Sequence, residues 1–221
     1  MSFIAQLDLS EVARYTQALP LPTSGALVFF YDCEQRAWGF DAEDKGCSLV
    51  SYVPGPATTL VRTSPPNRIP DTGIFSPCAL TFQPDENLPD PWAPHFVPGL
   101  SEDERSLLVD FTEEHDEVYG EAQADPRHRL GGHADCVQNS MELECQLVTH
   151  GLYCGNSTGY ENPAAKELQP GALDWRLLLQ IDTDDAADMM WGDVGRIYYW
   201  IHNDDLAKRR FERSWLIFQC Y

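Results

Sequence analysis

The stretch "WRLLLQIDTDD" at residues 175–185 decides the fold, because a similar stretch, "FIAQLDLSE", stands at residues 3–11. Both stretches are rich in apolar residues and contain a Gln-x-Asp sequence, which predicts a β-strand followed by a turn. Two further strand-like segments follow each stretch in the same order. They are "GALVFFYD" (25–32) and "SLVSYV" (48–53) in the first copy, and "GRIYYWIH" (195–202) and "SWLIFQ" (214–219) in the second.

The spacing of these segments supports a repeat. Asp8 precedes Gly25 by 17 positions and Asp182 precedes Gly195 by 13, while the next intervals, to Ser48 and to Ser214, are 23 and 19. A three-stranded meander cannot bury its apolar face alone, so we expect the two copies to pack or pair about a pseudo-twofold axis. The predicted fold class is α+β, with internally duplicated antiparallel β units, peripheral helices and long proline-rich loops.

The sequence between the two β units predicts loops and helices that cover the sheets. Residues 54–98 are rich in proline, which favours extended surface connections, with one or two short strands near "CALTFQP" (78–84). Ser101 and Glu104 form a capping box. They open a helix whose apolar positions are Leu107, Leu108, Phe111, Val118 and Tyr119.

A second helix is predicted over "NSMELECQLVTHG" (139–151), with Asn139 or Ser140 as its N-cap and Gly151 at its end. "NPAAKEL" (162–168) predicts a further helical turn. We therefore predict one domain over residues 1–221. Its first β unit spans 3–54, its helices and loops 55–173, and its second β unit 174–221.

The net charge of the chain excludes some classes of binding partner. Fifteen basic and 35 acidic side chains give a net charge of −20, which repels nucleic acids and anionic membrane surfaces. A basic protein or peptide is the favoured partner, and the alternative is that the charge serves only solubility. No signal peptide and no apolar run of roughly 20 residues is present, so we predict a cytoplasmic protein with free thiols at its seven Cys.

The repeated Gln and Asp residues are the first site candidates. Gln6, Asp8, Gln180 and Asp182 would converge on a symmetric polar site if the copies pack together. The alternative is structural, since Asp at a strand end commonly caps the following turn. Glu142 and Gln146 share one face of the predicted second helix, with Gln138 one turn earlier, and they bind a ligand or form a solvated face.

Two clusters raise the possibility of a metal site. His133, Cys136, Cys145, His150 and Cys154 are zinc-ligand types, but they lack the C-x-x-C spacing of a zinc site. The segment 182–193 holds five Asp, but its spacing does not match a calcium loop, and an acidic turn is the favoured interpretation. The sequence therefore predicts no metal and no cofactor.

A family resemblance adds to this interpretation. "LGGHADCVQNSMELECQLVTHGLYCG", "LLLQIDTDDAADMMWGDVGRIYYWI" and "SWLIFQCY" resemble the YwqG-like family, a bacterial family of unknown function. The resemblance implies an intracellular, internally duplicated α+β protein with no established activity or cofactor. Members usually carry a further segment before the first strand that is not seen here, so the alternatives are a shortened member or a sequence from which an N-terminal piece is missing. His133 and Cys136 depart from the family pattern, so the resemblance assigns them no role.

We therefore predict a non-catalytic binding or protein-interaction module. Its candidate site is a groove between the two β units, walled by Trp191, Tyr199 and Trp200. The candidate binding residues are Gln6, Asp8, Gln138, Glu142, Gln180, Asp182, Trp191, Asp193 and Tyr199. No catalytic residue is predicted. The alternative is a metal-assisted hydrolase that uses the acidic cluster at 182–193.

Overall fold

A computed structural model of the chain describes residues 1–15, 19–90, 93, 99–119 and 126–221, with the side chains of 112–119 left aside. The strands are β1 Ser2–Asp8, β2 Ala26–Tyr31, β3 Ser48–Val53, β4 Arg129–Leu130, β5 Trp175–Asp182, β6 Arg196–His202 and β7 Trp215–Gln219. The helices are α1 Leu9–Val12, α2 Glu102–Tyr119, α3 Glu142–Val148, α4 Ser157–Tyr160, α5 Pro163–Leu168 and α6 Asn203–Ala207.

The strands form two antiparallel sheets. The first has the order β1-β2-β3 and the second the order β4-β5-β6-β7. The predicted α+β class and both predicted meanders are therefore confirmed. Strand β4 was not predicted, because two residues are too short to show an alternating pattern.

The two meanders share a β-bulge at the same aligned position. In β1 the register shifts between Phe3 and Ala5, which pair with Phe30 and Phe29. In β5 it shifts between Leu177 and Leu179, which pair with Trp200 and Tyr199. The repeat aligns each of these residues with its counterpart, and a bulge is typically a retained feature rather than a defect. The duplication itself remains a prediction, which this match supports.

A glycine precedes the second strand of each meander, at a point where the backbone of the third strand comes close to it. A Cβ added at Gly25 would lie 2.6 Å from the carbonyl oxygen of Val53, and one added at Gly195 would overlap the carbonyl oxygen of Gln219. Val53 and Gln219 are aligned residues of the third strands. Both positions require glycine because the neighbouring strand backbone occupies the space of a side chain.

The sheets do not pair edge to edge; they pack face to face. Their inner faces share one apolar core that includes Leu27, Phe29, Ile181, Tyr199 and Phe218. A second core lies on the outer face of the second sheet, where α3 and its neighbours cover Leu177, Trp200, Trp215 and Ile217. The molecule therefore has three layers over the described residues, namely sheet, sheet and helices.

The connections agree only in part with the predictions. The capping box of α2 is present, since Glu104 accepts from the Ser101 amide at 2.8 Å. However, Leu107 and Phe111 are mainly exposed, and the side chains of Val118 and Tyr119 lie outside the described residues. The predicted strand near 78–84 is wrong, because these residues have no regular structure. The predicted N-cap of α3 is also wrong, since Met141 occupies that position without a side-chain cap.

Within the described part of the chain, no helix combines the length and apolar character needed to cross a bilayer.

Candidate binding cleft

The predicted groove between the two β units is not open. Trp191 and Tyr199 are each 0% exposed and lie in the core between the sheets. The Tyr199 hydroxyl donates to the carbonyl of Phe30 at 3.2 Å, and the Trp191 indole donates to the carbonyl of Asp182 at 3.0 Å. Trp200 lies on the opposite face of the second sheet, under α3. Side chains fill the space in which the groove was predicted.

Gln180 holds a loop against the second sheet. Its amide oxygen accepts from the backbone N–H of Asp135 at 2.9 Å, and its amide nitrogen donates to the carbonyl of Arg127 at 2.8 Å. The Asp135 carbonyl accepts from Tyr198 at 2.7 Å and from Arg196 at 3.1 Å. Gln180 is fully buried. A polar group buried with complete partners stabilises a unique structure and has no capacity left for a ligand.

Asp182 is similarly engaged. Its carboxylate lies 3.0 Å from Nε of Arg196 and accepts from the backbone N–H groups of Arg127 and Thr183, both at 2.9 Å. Although burial opposes the charged form, the Asp182 carboxylate raises the pKa of the Arg196 guanidinium. The carboxylate is buried and both of its oxygens have partners, so Asp182 ties β5 to β6 and to the segment before β4.

Gln6, Asp8 and Asp193 do not join these residues. Gln6 is exposed on the outer face of the first sheet. Asp8 caps α1, since its carboxylate accepts from the Ser10 amide at 2.9 Å. Hydrogen bonds from the Ser10 hydroxyl and amide lower the pKa of Asp8. Asp193 is exposed. The structural interpretation of Asp8 as a cap is therefore confirmed, and the symmetric polar site is not formed.

Gln138 and Glu142 have different environments. The Gln138 amide donates to the carbonyl of Cys220 at 2.8 Å. Glu142 is 5% exposed, and its Oε2 has no hydrogen-bond partner. Burial raises the pKa of Glu142 to about 7, and the nearby Asp90 acts in the same direction while Arg176 opposes it. Glu142 is thus a buried carboxyl with one unpartnered oxygen, and it is not part of a solvated face.

The acids at 182–193 do not converge. Asp184 caps the next turn by accepting from the Ala186 amide at 2.9 Å, and its other oxygen lies 3.2 Å from Nε2 of His128. Asp188 accepts from the Ser76 hydroxyl at 2.5 Å. Across the residues that the structure describes, no group of three or more His, Cys, Asp or Glu side chains is placed to hold a metal. His133, Cys136, Cys145, His150 and Cys154 are among the described residues, so they too do not form such a group.

The seven Cys form no disulfide, and burial strongly affects three of the thiols. The structure records all seven Cys as free. Burial raises the pKa of Cys136 and Cys145 well above its ordinary value, and it raises the pKa of Cys154 to about 11. A protonated buried thiol is a poor nucleophile. These Cys therefore behave as small apolar residues of the core.

A cleft of about 860 Å³ opens at one end of the sheet pair. Its walls are the β2–β3 connection, the β6–β7 connection and the C-terminal end of α3. The two connections occupy the same place in the two meanders. Ligand sites are typically clefts of this size that are positioned by a rigid scaffold. The cleft is therefore a candidate site. Gln146 and His150, which the sequence singled out, line it, whereas the nine candidate binding residues of the predicted groove do not.

The cleft carries charges of both signs. Its acidic lining residues are Asp44, Asp204, Asp205 and Glu212, and its basic ones are Lys45, Arg210 and Arg213. Arg210 is paired with Asp205 at 2.5 Å. Burial raises the pKa of Asp44, although its carboxylate accepts from the Gly39 amide at 2.7 Å. Asp204 and Glu212 are exposed, and the Asp204 carboxylate lies 3.7 Å from Nζ of the exposed Lys208.

Two polar atoms of cleft-lining residues lack partners. Nε of Arg210 and Oγ of Ser214 are buried without a hydrogen bond. Both atoms lie in the β6–β7 connection, and Arg210 directly follows Arg209, whose φ is +54°. Non-glycine residues at positive φ are uncommon and cluster at functional sites. The sequence signal for this site was the segment "KRRFER" (208–213), which holds four basic residues in an acidic chain.

The two packed sheets with their covering helices define an α+β protein with a cleft at one end of the sheet pair. Over residues 1–220 the chain matches the family model of a domain of unknown function (DUF1963), and it belongs to that family. No curated protein sequence matches the chain. The narrower name YwqG-like remains a prediction, and the family match assigns no activity.

Proposed function

We propose that this protein is a non-catalytic binding module and that the end cleft recognises a basic segment of another polypeptide. The observation that carries the proposal is the cleft itself, which the equivalent connections of both meanders enclose. Binding sites on loops held by a rigid scaffold are common, because the loops can vary while the scaffold keeps them in place.

The lining suits a polypeptide ligand. Basic side chains of the peptide pair with Asp204 and Glu212, which line the cleft and are exposed. The net charge of −20 accelerates encounter with a basic partner, although this effect weakens with added salt.

A cytoplasmic location and the absence of catalysis are parts of this proposal. The alternative, a metal-assisted hydrolase at 182–193, has no supporting geometry among the described residues. Asp182, Asp184 and Asp188 are each engaged by different partners. A two-carboxylate or three-carboxylate site requires these groups to face one another, which they do not.

The test uses two defined ten-residue peptides, one of alternating Ser and Lys and one of alternating Ser and Glu. Trp175 and Trp215 line the cleft, so their fluorescence reports binding. We expect the Lys peptide to bind and the Glu peptide not to bind. The double variant Asp204→Asn, Glu212→Gln should weaken binding of the Lys peptide at least fivefold.

The matched control is the double variant Glu161→Gln, Asp193→Asn, which removes the same charge from exposed positions that do not line the cleft. It should bind the Lys peptide as the unmodified protein does. Equal weakening by both double variants would show that binding follows the overall charge, and the cleft would be excluded as the site. Failure of the Lys peptide to bind would contradict the proposal as well.

A further inference from the structure

The outer faces of the two sheets present matching rows of side chains. The register of the first sheet places Phe3, Phe30 and Leu49 in one row across β1, β2 and β3. The register of the second sheet places Leu177, Trp200 and Trp215 in the aligned row. Each row contains three large apolar side chains at the bulge end of its meander.

The two rows differ in what covers them. Leu177, Trp200 and Trp215 are 1%, 2% and 8% exposed, because α3 and its neighbours pack against them. Phe3 and Leu49 are 51% and 37% exposed. The Phe3 ring contacts the Phe30 ring edge to face, with centroids 6.0 Å apart. The first sheet thus presents to solvent the apolar row that the second sheet buries.

The next row extends the open surface. Gln6, Val28 and Ser51 follow Phe3, Phe30 and Leu49 on the same face, and none of them is buried or charged. Exposed apolar rows with a polar margin on a soluble protein commonly mark interaction sites. We define this surface as the open face, consisting of Phe3, Gln6, Val28, Phe30, Leu49 and Ser51.

The charges around the open face select its partner. Asp8 ends β1 at one end of the sheet, and Asp32 follows β2 at the other. The chain as a whole carries a net charge of −20. Two copies of this chain would repel each other when these faces approach, whereas a partner with basic residues beside its apolar side is attracted.

We propose that the open face docks an amphipathic helix of another protein, with basic residues flanking its apolar side. The helix would cover Phe3 and Phe30 as α3 covers Leu177 and Trp200. Helix docking onto an apolar surface is a common mode of recognition, and its anchors recur at helical spacing. The open face adjoins the end cleft, because Leu49 belongs to both, whereas Phe3, Gln6, Val28, Phe30 and Ser51 do not line the cleft.

The test uses a 14-residue peptide of Leu and Lys with Leu at helical spacing, and a scrambled peptide of the same composition. Binding is followed by ¹H–¹⁵N NMR at about 0.15 M salt, where the Debye length is about 8 Å. We expect the patterned peptide to shift the amide signals of Phe3, Val28, Phe30 and Ser51. Phe3→Glu should weaken this binding tenfold or more, although the added negative charge alone would favour a cationic peptide.

Two further variants keep the result interpretable. Ser51→Glu lies on the same face and should also weaken binding, which covers the case in which Phe3→Glu fails to fold. Leu107→Glu adds the same charge at a 67% exposed apolar position of α2 and should leave the affinity unchanged.

Three outcomes would overturn the proposal. The first is equal binding of the scrambled peptide, which would indicate charge attraction alone. The second is unchanged affinity in Phe3→Glu or Ser51→Glu, or signal shifts confined to the end cleft. The third is concentration-dependent dimerisation that Phe3→Glu abolishes, because the occupant of the open face would then be a second copy of the chain.

Discussion

Phe29 and Tyr199 occupy aligned positions in β2 and β6, and their rings contact each other edge to face with centroids 5.1 Å apart. A residue that contacts its own counterpart lies near the axis that relates two equivalent units. The flanking contacts are reciprocal too: Trp38 of the β2–β3 connection stacks on Phe218 of β7, and Phe211 of the β6–β7 connection contacts Tyr52 of β3. This arrangement supports the predicted pseudo-twofold relation.

The first prediction concerns this central pair. Phe29→Leu and Tyr199→Leu should each destabilise the fold, and the double variant should lose less than the sum of the two. We expect a coupling free energy of about 1 kcal/mol, which is the range for aromatic pairs. Denaturant unfolding of the four proteins measures it. The control combines Phe29→Leu with Ile217→Val, because Ile217 lies in the other core. The losses in free energy of unfolding should add in this control. A coupling free energy as large as that of the Phe29–Tyr199 pair would contradict a specific ring contact.

The second prediction separates a structural from a functional Asp182. Asp182→Ala leaves the buried Arg196 guanidinium and the Arg127 amide without their acceptor. Breaking a buried ion pair on one side typically costs about 3 kcal/mol or more. Urea unfolding should therefore show a loss of that size, whereas the exposed Asp193→Ala should change stability by about 0.5 kcal/mol or less. An Asp182→Ala protein of unchanged stability would return this residue to the list of ligand-binding candidates.

The third prediction tests the close approach at Gly195. An alanine side chain there would overlap the carbonyl oxygen of Gln219 and separate β6 from β7. We expect Gly195→Ala to destabilise the protein by about 3 kcal/mol, in the upper range for overpacking. Gly46 has open space around it and a φ of +91°, so Gly46→Ala should cost only about 1 kcal/mol, from backbone conformation alone. Thermal unfolding compares the two, and equal losses would contradict the steric explanation.

The fourth prediction concerns pH. Burial raises the pKa of Glu142 from 4.5 to about 7, so the native state binds an extra proton between these values. The stability that this proton contributes is complete below about pH 4.5 and is lost as pH rises through 7. Glu142→Gln should therefore stabilise the protein at pH 8, by up to about 3 kcal/mol, and change little at pH 5.

Unfolding curves at pH 5 and pH 8 provide the measurement for Glu142→Gln. Glu161→Gln is the control, since Glu161 is exposed and its removal should give no pH-dependent difference. Burial also raises the pKa of Glu144 to about 7. The stability of the Glu142→Gln variant should therefore still depend on pH, but less than the stability of the unmodified protein. Loss of stability at pH 8 in this variant would mean that the carboxylate has a partner.

The sequence predicted the local elements well. Both meanders were visible because their strands are runs of apolar, β-branched and aromatic residues that end in turn residues, and the capping box of α2 was visible because Ser101 and Glu104 have a fixed spacing. The site was not predictable in the same way. Gln180 contacts Asp135, which is 45 positions away in the chain, and no periodicity records such a contact. The Gln and Asp residues of the repeat therefore suggested a shared site, whereas in the structure Gln180 holds a loop and Asp8 caps a helix.

The end cleft escaped sequence analysis for a related reason. Its walls come from connections around Asp44, His150 and Glu212, which become neighbours only after both sheets have packed. The open face escaped it because alternation predicts which side chains share a face, and not which face a helix covers. Phe3 and Leu177 are aligned in sequence, yet one is exposed and the other is buried.

The bulges in β1 and β5 also determine how this chain tolerates insertions and deletions. Ile4 and Ala5 are consecutive and both buried, as are Leu178 and Leu179. Each bulge thus offsets the alternation of inward and outward side chains by one residue. Loss of one residue at either bulge would exchange the inward and outward sides of the strand that precedes it. We therefore expect changes of length to be tolerated mainly in the connections, where the intervals between aligned strands already differ.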